Sequence, residues 1–67
     1  MGFEGMESIL EKREGFNIYY VKGFNKSTRK VEFTTDYWKA KRFASIGWSS
    51  NFLNKYNLDK RWVIVPL

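Results

Sequence analysis

The chain has 67 residues, of which 12 are Lys or Arg and seven are Asp or Glu, so that its formal net charge is +5. A domain of about 60 residues buries only about 60% of its unfolded surface, and the chain therefore has room for one hydrophobic core. The absence of Cys excludes disulfides and thiolate chemistry, and the absence of His removes the commonest catalytic base and metal ligand. These exclusions predict a binding domain that is not an enzyme and that uses no metal and no cofactor.

The first 14 residues predict a flexible lead followed by a short helix. Residues 1–5 contain two glycines, and Met6, Ile9 and Leu10 then recur at the spacing of one helical stripe. Gly15 would end this helix. We therefore expect residues 1–14 to precede a single α+β domain that spans residues 15–67.

Two strands joined by a hairpin connection are predicted over residues 16–22 and 29–34. The first is rich in aromatic and β-branched side chains, and the second alternates apolar with polar residues. The polar residues 23–28 between them have the length of a hairpin loop. Alternation assigns to the core the side chains of Ile18, Tyr20, Val31 and Phe33.

Two short helices are predicted after the hairpin. Thr35 or Asp36 can cap the first helix, and Ser45 or Ser49 can cap the second. Asn57 can end the second helix in the left-handed conformation. One side of the second helix carries Trp48, Phe52 and Tyr56, with Leu53 adjacent.

A last strand is predicted at residues 61–65, where Trp, Val and Ile are dense and Pro66 follows. A helical crossover would bring this strand antiparallel to the first strand of the hairpin. The predicted fold class is α+β, with a three-stranded antiparallel sheet of order 2-1-3 and one or two short helices on one face. The other residues assigned to its core are Phe43, Phe52, Tyr56, Val63 and Val65.

Cations and aromatic residues cluster in two parts of the chain. Lys and Arg neutralise phosphates and aromatic rings stack on bases, so this mixture is typical of surfaces that bind single strands. Trp, Tyr and Arg also dominate hot spots between proteins. The predicted partner-binding residues are Trp38, Lys39, Lys41 and Arg42 in the first helix and Lys26, Arg29 and Lys30 at the hairpin, with Tyr19, Trp48 and Trp62 as secondary candidates.

The first helix carries three cations and a Trp within five residues. The cations must be exposed, because burial of an unpaired Lys or Arg is very costly. We expect Trp38 to be partly exposed with them. The alternative is a solvated cationic face that keeps the protein soluble, with Trp38 at the edge of the core.

Residues 16–67 resemble a class of small proteins from phages and mobile elements of low-GC Gram-positive bacteria. The shared pattern begins with an aromatic first strand and continues with Phe33-Thr34-Thr35-Asp36, Ala40-Lys41-Arg42-Phe43, Lys55-Tyr56-Asn57-Leu58 and Trp62-Val63-Ile64-Val65. The resemblance implies a ββαβ-type fold and a phage setting, but no particular activity.

Phages use short non-catalytic proteins to block host enzymes and defence complexes, including CRISPR nucleases. We therefore expect a protein that binds and modulates a host protein or nucleoprotein complex in the host bacterial cytosol, as a monomer or weak homodimer. The alternative is a basic aromatic module that binds single-stranded or structured DNA or RNA. No membrane partner is expected, because the longest apolar run, residues 62–67, is far shorter than the ~20 residues that span a bilayer.

Overall fold

The computed structural model describes residues 6–67, and the predicted flexible lead at residues 1–5 lies outside them. The described residues form an α+β domain with one four-stranded antiparallel sheet and one α-helix. The sheet order is β3-β2-β1-β4. The elements are β1 (Ser8–Glu14), β2 (Asn17–Asn25), β3 (Lys30–Thr34), a 3₁₀ turn (Tyr37–Lys39), α1 (Ile46–Lys55) and β4 (Val63–Pro66).

The helix predicted near the amino terminus is wrong, because residues 8–14 form the central strand β1. This strand pairs with both β2 and β4, and its Ile9 and Leu10 side chains are buried on opposite faces of the sheet. Gly15 does not end a helix but begins the two-residue β1–β2 turn, with a φ of +60°. Such a positive φ at the first central position is typical of a type II′ hairpin turn. The predicted boundary at residue 15 therefore falls inside a β-hairpin.

Because β1 lies in the middle of the sheet, the predicted sheet order is also wrong. The sheet has four strands where three were predicted, and β4 pairs with β1, not with the first strand of the predicted hairpin. The hairpin itself is confirmed as β2 and β3. Only one α-helix is present in residues 6–67, because the first predicted helix is reduced to a 3₁₀ turn.

The core lies between α1 and one face of the sheet. Its buried cluster consists of Leu10, Val21, Phe43 and Trp62. Packed against this cluster are the half-buried side chains of Tyr19, Val31, Phe52, Leu53, Leu58 and Ile64. Strand alternation places on the other face the side chains of Ile9, Ile18, Tyr20, Val63 and Val65.

The predicted core is correct in part. Alternation assigned Ile18 and Tyr20 to the face under the helices, but the structure places Tyr19 and Val21 there. The reason is that β2 is apolar on both faces, so its pattern does not say which face the helix covers. Tyr20 is nonetheless buried, because the ring of Tyr37 packs edge-on against it at 5.6 Å on the opposite face.

Three further core assignments are corrected. Val63 and Val65 lie on the face of β4 that points away from the helix, where Val63 is exposed, while Ile64 packs against the core. Phe33 does lie on the face of the core, because it pairs with Val21, but it remains 49% exposed at the outer strand β3. Phe43 is buried as predicted, and Phe52 and Tyr56 are half-buried.

The chain between β3 and α1 passes from one face of the sheet to the other. Asp36 caps the 3₁₀ turn by accepting a hydrogen bond from the Trp38 amide at 2.9 Å, but Ala40 returns to an extended conformation. The Lys41 amide then donates to the Val21 carbonyl, and Phe43 exchanges two backbone hydrogen bonds with Ser8. Through Phe43 this segment pairs with Ser8 at the start of β1. It lies next to the point where an irregularity between Val21 and Gly23 bends β2.

Two serines fix the start of α1. Ser45 is the N-cap and accepts a hydrogen bond from the Trp48 amide, which confirms one of the two predicted caps. Ser49, the other predicted cap, is fully buried, and its hydroxyl donates to the Ile46 carbonyl and lies 3.0 Å from the hydroxyl of Ser8. Asn57 follows the helix with a φ of +52°, as predicted. Neither α1 nor any other helix of residues 6–67 has the length and hydropathy needed to cross a membrane.

Candidate partner-binding groove

A groove of about 400 Å³ lies beside α1, at the end of the sheet where β1 begins. Four aromatic and three cationic side chains line it, together with Ala44 and Asn51, and none of its lining residues is acidic. We refer to it as the cationic aromatic groove. Its aromatic members are Phe43, Trp48, Phe52 and Tyr56, and its cationic members are Lys41, Arg42 and Lys55.

The helix supplies most of the groove from a single face. Trp48, Asn51, Phe52, Lys55 and the C-cap Tyr56 follow one another at the i, i+3, i+4, i+7 and i+8 positions. A stripe with this spacing usually faces a core. Here the sheet is contacted by the neighbouring side of α1, through Ser49 and Leu53, and the aromatic stripe is left facing the groove.

The aromatic rings of the groove hold one another in place. Phe43 and Phe52 pack edge-to-face with centroids 5.2 Å apart, and Phe52 packs on Tyr56 at 4.6 Å. Tyr56 in turn stacks on Phe24 of β2 at 4.5 Å. This ladder starts at the buried Phe43 ring and ends at the base of the β2–β3 hairpin. Trp48 is outside it and is 63% exposed, so a large ring is available at the edge of a rigid apolar wall.

The two lysines of the groove are associated with aromatic rings, not with carboxylates. The Nζ atom of Lys41 lies 5.4 Å from the centroid of the Phe43 ring, and that of Lys55 lies 5.5 Å from the centroid of Tyr56. Neither lysine nor Arg42 takes part in an ion pair within residues 6–67. The groove therefore carries three positive charges that the described part of the chain does not neutralise.

The ion pairs of residues 6–67 all lie at the other end of the sheet, near the β1–β2 turn. They join Lys12, Arg13 and Arg61 to Glu11, Glu14 and Asp59. The pKa of Asp59 is lowered, chiefly because the Arg61 amide donates a hydrogen bond to its carboxylate at 2.9 Å, and further by the positive charges of Lys12 and Arg61. No three acidic side chains of residues 6–67 are grouped so that they could hold a metal ion.

The structure divides the first predicted cluster of partner-binding residues. Lys41 and Arg42 line the groove, whereas Trp38 and Lys39 lie on the 3₁₀ turn and are not part of it. The division arises at Ala40, because its extended conformation prevents the four residues from sharing one helical surface. Trp38 is 82% exposed and packs edge-on against Tyr37.

The second predicted cluster is exposed at the β2–β3 hairpin. Lys26 and Arg29 lie in its loop and Lys30 begins β3, and none of them lines the groove. The side-chain oxygen of Asn25 accepts hydrogen bonds from two loop amides, and Arg29 closes the loop with a φ of +56°. The loop is connected to the groove through the stacking of Phe24 on Tyr56.

The secondary candidates have three different positions. Trp48 lines the groove. Tyr19 is half-buried against the core cluster, and its predicted place on the opposite sheet face is wrong. Trp62 is only 6% exposed, since it stacks on Phe33 at 5.2 Å and lies under the ammonium group of Lys12 at 5.1 Å. Trp62 is therefore part of the core, and its role as a secondary contact stays a prediction.

Lys55 and Asn51 were not among the predicted contacts, and Phe43, Phe52 and Tyr56 were assigned to the core alone. A helical-wheel argument could have found Lys55 and Asn51, because they lie seven and three residues after Trp48 on the same face. The part played by Phe43 depends on the pairing of residues 8 and 43, which no local pattern in the sequence indicates.

No family model, no curated protein and no solved structure matches this chain. The groove and the distribution of charge around it are therefore the observations on which a function is proposed.

Proposed function

We propose that this chain is a non-catalytic binding domain and that the cationic aromatic groove is its partner-binding surface. The observation that carries the proposal is a concavity that combines an exposed Trp48 with aromatic walls and three cations. Within residues 6–67 these cations have no acidic partner, and no carboxylate lines the concavity. A large exposed apolar ring costs solubility and contributes little to folding. Such a ring in a polar-rimmed groove is typical of an interaction site.

The non-catalytic part of the proposal is supported by the chemistry of the side chains. The chain contains neither His nor Cys. The ionisable groups that line the groove are two lysines, one arginine and one tyrosine, so the groove offers no carboxylate or imidazole as a general base. The groove instead offers aromatic rings and positive charges, which can bind a partner but do not supply a catalytic base.

The setting of the proposal is that of a phage accessory protein. Residues 16–67 resemble small phage and mobile-element proteins. A groove with an exposed tryptophan suits a protein that acts by binding to a surface of its partner and blocking it. In this proposal the domain binds and modulates a host protein or nucleoprotein complex in the bacterial cytosol. Binding of DNA or RNA is the second candidate function, and the unpaired cations of the groove favour it.

The proposal is tested by affinity capture from a lysate of a bacterial host with tagged protein, with and without nuclease treatment. The bait proteins are the wild type, Trp48→Ala and the matched control Trp38→Ala, which removes an even more exposed ring outside the groove. The wild type and the control should recover the same partner, and Trp48→Ala should lose it. Equal recovery by all three proteins would show that the groove is not the binding surface.

A further inference from the structure

We infer that the occupant of the cationic aromatic groove is single-stranded nucleic acid, with a base against the exposed ring of Trp48 and phosphates at Lys41, Arg42 and Lys55. The inference rests on the proposed function, because it names what the same groove contacts: a single strand, either free or as the nucleic-acid part of a nucleoprotein complex. It follows from the sign and type of the charges, from the shape of the groove and from the surface next to it.

The charges favour phosphate over a protein surface. The core of an interface between proteins is enriched in Arg and aromatic residues but depleted in Lys. Two of the three groove cations are lysines, and no lining residue is acidic. Lysines that flank aromatic rings without carboxylates are the arrangement by which a protein follows a phosphate backbone while bases stack on the rings.

The shape favours an unpaired strand over a duplex. The exposed ring of Trp48 can stack only on a base whose face is free, and the faces of bases in a duplex are already occupied by their neighbours. A concavity of about 400 Å³ is large enough to take nucleobases singly.

The surface beside the groove extends the same chemistry. Phe24 stacks on Tyr56, and the next residue of β2, Asn25, pairs with Lys30 at the base of the hairpin. Lys26 and Arg29 are exposed in the adjoining loop. A strand that leaves the groove past Tyr56 therefore reaches the hairpin cations. It would connect the second predicted cluster with Lys41 and Arg42, the part of the first cluster that lines the groove.

Little sequence preference is expected. Among residues 6–67, Asn51 is the one amide side chain that lines the groove, and the other polar contacts it offers are mainly positive charges. Every base has a face that can stack on an aromatic ring, so binding of this kind tolerates different sequences.

The test is fluorescence anisotropy with labelled oligothymidylate and oligouridylate, with a duplex of the same length for comparison, in about 50 to 200 mM salt. Wild-type protein should bind the single strands more tightly than the duplex. The slope of log Kd against log salt should be about 2 or more, because each phosphate neutralised on a single strand contributes about 0.7.

Two groove variants have matched controls. The triple variant Lys41→Gln, Arg42→Gln, Lys55→Gln should lower the slope of log Kd against log salt by about 2. Its control, Arg13→Gln, Lys60→Gln, Arg61→Gln, removes the same amount of charge near the β1–β2 turn and should leave this slope unchanged. Trp48→Ala should weaken binding about tenfold or more at every salt concentration, and Trp38→Ala should not. Circular dichroism and thermal melting of each variant show that it is folded before binding is compared.

The outcomes separate the inference from the proposed function. Equal loss of binding in the two triple variants, or tighter binding of the duplex, would overturn the inference. If the wild type binds no oligonucleotide but captures a protein in a Trp48-dependent manner, the inference fails and the proposed function stands. If neither oligonucleotide binding nor capture depends on the groove, both fail.

Discussion

The two ends of the sheet use the same residue types in opposite ways. Near the β1–β2 turn, Trp62 is buried under Lys12 and against Phe33, and the surrounding cations are paired with carboxylates. At the start of β1, Trp48 is exposed in the cationic aromatic groove, and the cations beside it have no acidic partner in residues 6–67. The first end is arranged for stability, and the second has the features of a surface that meets a partner.

This difference teaches how the basic composition should be understood. The net charge of +5 does not distinguish a solvated surface from a binding surface. The structure does distinguish them. The acidic residues near the β1–β2 turn neutralise one group of cations, whereas the cations of the groove have no acidic partner within residues 6–67. Four experiments can break or sharpen this comparison.

The largest contrast is expected between two tryptophan variants. Trp62→Ala removes a buried ring from the core and should cost about 3 to 5 kcal/mol, enough to unfold much of so small a domain. Trp48→Ala removes an exposed ring and should cost less than about 1 kcal/mol. Urea unfolding followed by circular dichroism measures both. Similar decreases in the free energy of unfolding in the two variants would show that the two tryptophans do not differ in their contribution to the core.

A large effect is also expected at Leu10, the fully buried residue of β1 that lies between the two ends. Leu10→Ala should destabilise the domain by about 2 to 5 kcal/mol through the lost burial and the cavity that remains. Met6→Ala, an exposed position just before β1, is the control and should change stability little. A Leu10→Ala protein that unfolds at the same urea concentration as the wild type would contradict the central position of β1.

A smaller effect is expected where α1 is attached to the sheet. Ser49→Ala removes the buried hydroxyl that contacts Ser8, and the loss of such a hydrogen bond typically costs about 1 kcal/mol. Ser50→Ala lies on the same helix and gains the same helix propensity, so it serves as the reference. The two variants are compared by thermal unfolding. If Ser49→Ala is as stable as Ser50→Ala, the buried pair of serines does not anchor the helix that forms the groove.

The smallest effect is expected at Asp59 in the paired end. A pKa below the ordinary value of 3.8 means that the ionised carboxylate stabilises the fold above that pH, and that this contribution is lost as the pH falls through the lower pKa of the folded state. The stability difference between wild type and Asp59→Ala, which removes both the charge and the acceptor of the hydrogen bond from the Arg61 amide, should therefore be greatest near neutral pH and shrink in acid.

The origin of that difference can be checked with salt. Because the main cause is the hydrogen bond from the Arg61 amide, part of the difference should persist in about 1 M salt, where the Debye length is about 3 Å. A stability difference that grows in acid would have the wrong sign for a lowered pKa.

Much of the carboxyl-terminal part of the fold could be predicted from the sequence. The β2–β3 hairpin, the Asp36 and Ser45 caps and the left-handed Asn57 are local features with clear signatures. The position of β1 could not be predicted in this way. Three apolar residues at helical spacing also fit a strand that is buried on both faces, and only the pairing with β2 and β4 decides between the two.

The candidate site, too, was predicted only in part, because some of its features depend on contacts between residues that are distant in the sequence. Lys41, Arg42 and Trp48 were identified by residue type, and they line the groove. The exclusion of Trp38 depends on the extended conformation of Ala40, and the burial of Trp62 depends on its contact with β3. Both are long-range or conformational consequences that residue spacing does not encode.

The most direct test of the contrast between the ends is to observe the three tryptophans separately. The chain has three indole N–H groups, which give three signals in a ¹⁵N–¹H spectrum, and each is assigned by a Trp→Phe variant. During titration with oligothymidylate, the Trp48 signal should shift first and most, while those of Trp62 and Trp38 should remain nearly fixed. Movement of the Trp62 or Trp38 signal with a stationary Trp48 would contradict the assignment of the groove as the binding surface.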